Sequence, residues 1–130
     1  MSYDIFVFDR SAPTDEDDFL EWYETFDEEE DHDASSPQTT SAPLHAFYDE
    51  LRERFLPLNG PDAADEARLD EDVESIADYV FGAHAIYLEF RWGASERARE
   101  AVLQIAKRTD VGVYLCSDDE SIIRPGEHGA

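Results

Sequence analysis

The chain has 130 residues, with 33 Asp and Glu against 10 Lys and Arg, for a formal net charge of −23. That length allows one domain with a sizeable core, and 12% aromatic content separates it from disordered acidic chains. So negative a surface repels a phosphate backbone and an anionic membrane, which excludes direct nucleic-acid and membrane-surface binding from the expected functions.

Two origins of the acidity stand side by side. A proteome adapted to high internal salt is acidic everywhere, and nine of the ten basic residues here are Arg. Local clustering favours a specific partner instead. Ser11 to Leu51 contains no Lys or Arg, whereas Arg91 to Arg108 contains five. Cys116 is the single cysteine, so no internal disulfide forms, which fits a reducing cytoplasm. The opening MSYDIFVFDR has no basic n-region or long apolar h-region, so it does not read as a signal peptide. No apolar run approaches the roughly twenty residues of a membrane span. The expected localisation is cytoplasmic.

Tyr3 to Phe8 reads as the first strand. Ile5 and Val7 point one way, Phe6 and Phe8 the other, as in a central strand covered on both sides at least in part. Ser11, Ala12 and Pro13 break it, and Thr14 is the expected N-cap of a helix over about Asp15 to Asp27. In that helix Phe19, Trp22, Tyr23 and Phe26 recur at i, i+3, i+4, i+7, which sets four aromatics on one stripe. The stretch Asp15 to Asp33 carries twelve carboxylates and no Lys or Arg, so the other faces form a dense negative field. The like charges at Asp27 to Glu30 oppose the helix dipole and should fray its end.

Asp31 to Thr40 has loop composition. Ser41 is the expected cap of a second helix with Leu44, Phe47, Tyr48, Leu51 and Phe55 on its apolar side, stopped by Pro57. Leu58-Asn59-Gly60-Pro61 is a turn signal, and Asp62 to Glu74 is acidic without a clear period. Ile76 to Phe81 and His84 to Trp92 read as two strands joined at Gly82-Ala83. The second alternates cleanly, with Ile86, Leu88, Phe90 and Trp92 on one face. A third helix follows over about Glu96 to Arg108, then a strand over Val111 to Cys116 and a short edge strand at Ile122-Ile123. The tail 125–130 is expected to be loose, after a single domain over 1–124.

This order predicts an α+β fold with a four-stranded, mainly antiparallel sheet in the ferredoxin-like arrangement βααββαβ, a short fifth strand, and all helices on one face.

Candidate chemistry is sparse. Paired carboxylates could be drawn from anywhere in such a chain, and nothing marks two with divergent environments, so no catalytic residue is assigned. Asp31-His32-Asp33 lacks the spacing of an EF-hand or a zinc site, so neither a metal nor a cofactor is expected. Cys116 sits in an apolar strand and reads as a structural thiol. G-x-S-x-G, P-loop and dinucleotide fingerprints are all missing.

Two binding surfaces remain. The first is acidic and comprises Glu21, Glu24, Asp27, Glu28, Glu29, Glu30, Asp31 and Asp33. The second is the sheet face bearing Tyr87, Glu89, Arg91 and Tyr114, open if every helix lies on the other side. Cover by the extra helix or by a second copy of the chain is the opposing expectation, so a homodimer stays open.

The opening Tyr-Asp-Ile-Phe-Val-Phe-Asp, Phe-Leu-Glu-Trp-Tyr of the first helix, Leu58-Asn59-Gly60-Pro61, Asp78-Tyr79 and Trp92 before a helix together resemble a group of small acidic bacterial proteins, the immunity proteins of secreted or polymorphic toxin systems. The resemblance spans most of the chain and carries no catalytic motif. It implies a cytoplasmic, non-enzymatic protein that binds and blocks a cognate toxin. An acidic helix suits a toxin with a basic cleft. A small enzyme or ligand-binding domain using the sheet face, and a general DNA mimic, are the alternatives.

Overall fold

The computed structural model describes residues 2–13, 15–24, 40–57, 76–82, 84–117 and 122–125. The chain runs through β1 (Ser2–Phe8), α1 (Glu16–Glu24), α2 (Ala42–Leu51), β2 (Leu56–Pro57), β3 (Ile76–Phe81) and β4 (Ala85–Arg91). A single 3-10 turn, Trp92–Ala94, leads into α3 (Ser95–Thr109), followed by β5 (Gly112–Tyr114) and β6 (Ile122–Ile123). The turn at 58–61, the acidic stretch 62–74, the loop 31–39 and the tail 126–130 lie outside the described residues.

The expected α+β class stands, but the sheet is larger than four or five strands. Six strands form one sheet in the order β2-β3-β4-β1-β5-β6. β2 is the addition. It pairs with β3 in parallel through Leu56↔Ile76 and Pro57↔Ala77, which makes the sheet mixed. The other neighbours pair antiparallel. β1 is central, as its two apolar faces require, and runs against β4 from Ser2↔Arg91 to Phe8↔Ala85. β3 and β4 form the expected hairpin, with the Gly82 N–H donating to the Ala85 carbonyl at 2.8 Å.

A second correction concerns the helices, which do not share one face. Ile5 and Val7 of β1 face a core built with Leu44, Phe47, Tyr48 and Leu51 of α2 and Ala98, Val102 and Ile105 of α3. Phe6 and Phe8 face the opposite way and meet α1. Each fully buried Phe contributes roughly 1.5–3 kcal/mol, so a bare face with two of them would waste a large driving force. α1, with its aromatic stripe, is the element that covers it.

The helix ends also differ in detail from expectation. Ser41 occupies the N-cap of α2 with extended backbone, but its hydroxyl makes no cap hydrogen bond. Its carbonyl accepts the His45 N–H at 2.9 Å. α3 ends at Asp110, whose φ of 60° is left-handed and whose N–H donates to the Ala106 carbonyl. Asp is among the few residues that tolerate this conformation.

Candidate binding surface

α1 begins with an acid in the capping role. Asp15 Oδ1 accepts the Asp17 N–H at 2.9 Å and the Asp18 N–H at 3.3 Å, while its carbonyl accepts the Phe19 N–H. Two of the free first-turn donors are thereby satisfied, and Glu16, Asp17 and Asp18 favour the positive end of the helix dipole. Thr14, the expected cap, lies outside the described residues.

The inner side of α1 is an aromatic anchor. Phe19 is fully buried, with ring centroids 4.7 Å from Phe8, 5.7 Å from Tyr114 and 6.2 Å from Phe6. Trp22 and Tyr23 stand edge-on to Phe6 at 5.5 and 4.9 Å. Edge-to-face pairs of this kind add to the area they bury. The outer side carries Glu16, Asp17, Asp18, Glu21 and Glu24, all exposed. Among the described residues none of them forms an ion pair. Glu21 and Glu24 thus sit on the surface assigned to them. Phe26, Asp27, Glu28, Glu29, Glu30, Asp31 and Asp33 lie outside the described residues.

The second predicted surface divides in two. Tyr87 and Tyr114 are not open. Tyr23 stacks on Tyr87 at 6.2 Å and meets Tyr114 edge-on at 5.0 Å, so α1 itself covers them. On β4 the ring contacts of α1 stop at Tyr87, among the described residues. Glu89 is half-buried and Arg91 is exposed at the end of the strand.

Register brings two unforeseen acids to this face. Asp4 lies opposite Glu89, and Glu89 opposite Asp78, which sets three carboxylates in a row across β1, β4 and β3. They were hidden because neighbouring acids on three separate strands leave no local pattern in the chain. Like charges so placed repel.

Beside the seat of α1 the sheet carries a hydrogen-bonded polar cluster. The Tyr87 hydroxyl donates to Asp4 Oδ2 at 2.6 Å, the Cys116 thiol donates to the Asp4 carbonyl at 3.3 Å, and the Asp4 N–H donates to Ser117 Oγ at 2.9 Å. Tyr23 stacks on Tyr87 beside this cluster. Burial raises both phenols well above their ordinary value, and for Tyr87 the Asp4 hydrogen bond raises it further. The unfolded chain releases these protons near pH 10, about the free phenol value, while the folded chain keeps them. Their contribution is therefore complete below that pH and declines as pH rises through and beyond it. Urea unfolding followed between about pH 9 and 11 should show falling stability, and Tyr87→Phe should flatten the fall.

A second polar cluster closes the far end of β1. Asp9 is buried, its Oδ2 2.9 Å from His84 Nδ1 and its Oδ1 accepting the Ser11 N–H at 2.8 Å. Among the described residues no group of three or more His, Cys, Asp or Glu could hold a metal ion. None of the described helices is long and apolar enough to cross a membrane.

The helices α1 and α3 differ in charge. α1 holds five carboxylates and no cation. α3, on the opposite face, holds Arg97, Arg99, Lys107 and Arg108 against Glu96 and Glu100. Comparison with protein-family models, curated proteins and solved structures returns no match for this chain.

Proposed function

We propose that the chain is a non-enzymatic binding protein, an immunity or inhibitor protein that docks the acidic face of α1 on a basic toxin domain and blocks it. The observation that carries this reading is the division of α1 into an inward aromatic stripe anchored by buried Phe19 and an exposed face of carboxylates that form no ion pair among the described residues. A face needed only for solubility would interleave cations to relieve repulsion. Here α1 carries none, and the cations of α3 stand on the other face of the sheet. Such a field steers a positive partner and raises its association rate. A small ligand on the sheet face is the weaker alternative, because α1 covers Tyr87 and Tyr114. A DNA mimic would differ in binding several nucleic-acid proteins instead of one. On the fold, we read the inner strands β3-β4-β1-β5 as a ferredoxin-like order with a strand added at each border, a reading supported by their neighbour relations.

The test is capture of the bound protein from the producing cells, then expression of that protein with and without this chain. The captured protein alone should arrest growth, and co-expression should restore it. Glu21→Lys with Glu24→Lys should slow association at low salt by about tenfold and weaken its salt dependence. A harmless partner, or association indifferent to the charge reversal, defeats the proposal.

A further inference from the structure

Arg124 follows β6, which the pairs Val113↔Ile123 and Tyr114↔Ile122 hold against β5. From there its side chain reaches back across the chain to α1. Nη1 donates to the Pro13 carbonyl at 2.8 Å, and the guanidinium lies 5.4 Å from the centroid of Phe19. The two grips bracket Asp15, one before the helix and one inside it.

We propose that Arg124 is a positioning residue for the acidic face of α1. The inference rests on that face being the docking surface. Helices take most of their stability from tertiary packing, and the like-charged neighbours Asp17/Glu21, Asp18/Glu21 and Glu21/Glu24 weaken α1. Its orientation must come from tertiary contacts. Phe19, Trp22 and Tyr23 supply apolar contacts, which permit rocking and sliding. A directed hydrogen bond to Pro13 fixes where the helix starts, and the cation held over Phe19 fixes its azimuth. The loop preceding α1 is not filled beneath: a groove of about 140 Å³ lies among Phe8, Asp9, Arg10, Ala12, Arg124 and Pro125. Arg10 shares that groove but binds Asp110, with Nη2 2.6 Å from Oδ2. It is the charge-matched control.

The experiment compares Arg124→Ala, Arg124→Lys and Arg10→Ala, each in a Trp92→Phe background so that emission and acrylamide quenching report Trp22 alone. Poly-L-lysine at low salt is the cationic probe. Charge by itself predicts that both Ala variants bind it more tightly. Positioning predicts that Arg10→Ala binds at least as tightly as the parent while Arg124→Ala binds about threefold more weakly. Trp22 should become more quenchable in Arg124→Ala, and Arg124→Lys, which retains a donor and a cation, should restore both properties. Tighter binding by Arg124→Ala with Trp22 unchanged overturns the proposal. So does a loss that Lys fails to rescue and that accompanies a lowered unfolding midpoint, since that marks general destabilisation. If the parent does not bind poly-L-lysine, the docking reading fails, and the Trp22 response still decides the role of Arg124.

Discussion

Phe19→Ala is expected to lower the unfolding free energy by about 3–5 kcal/mol, the usual cost of emptying a buried aromatic site. Phe19 is the one residue of α1 that is fully buried, and it touches Phe6, Phe8, Trp22 and Tyr114. Phe6, Phe8 and Tyr114 stand on a sheet that cannot contract around the gap, so the cavity persists. The loss is a large part of the roughly 5–15 kcal/mol that stabilises a typical domain. Urea unfolding should show the midpoint drop. Binding of a basic partner should weaken as well, because the carboxylates of α1 depend on this anchor for their arrangement. A midpoint within experimental error of the parent would mean that α1 does not contribute to the core.

The second large effect is expected at Gly112. It lies opposite Phe8 in the β1–β5 pair, and a Cβ built there would stand 2.2 Å from Phe8 Cε2 and 2.3 Å from Cζ. No Cβ tolerates that approach. The Phe8 ring is fully buried, and Phe19 4.7 Å away blocks its retreat on that side. Gly112→Ala should therefore cost about 1–3 kcal/mol by overpacking, and Gly112→Val more. Trimming the obstacle should recover part of the loss, so Gly112→Ala combined with Phe8→Leu should be more stable than the sum of the two single changes. Additive losses in thermal unfolding would place the ring elsewhere.

Much of the fold could be read along the chain. The alternation from Ala85 to Arg91 marks β4, and the spacing of Ala98, Ala101, Val102, Ile105 and Ala106 marks the buried side of α3. β2 could not be read. Two residues carry no period, and Pro57 has the look of a helix stop when its parallel partner lies some twenty residues away at Ala77. The side taken by α1 was legible in principle. Phe6 and Phe8 require cover as much as Ile5 and Val7 do. The handedness of a crossover, however, constrains one helix between two strands, and it is silent on which of two successive helices makes the crossing. Once α1 is on the far side, the fate of Tyr87 and Tyr114 follows, and the aromatic sheet face becomes the seat of a helix. The carboxylate row of Asp4, Glu89 and Asp78 depends on register between strands up to eighty-five positions apart, which composition does not encode.

The outermost strands have a bearing on how the protein behaves when concentrated. β2 and β6 are two residues each, and β2 ends in Pro57, which has no amide hydrogen to offer. Among the described residues, a foreign strand settling along either margin would find a stub to zip onto. Growth of the sheet from molecule to molecule, the first step toward fibrils, has little template at these strands.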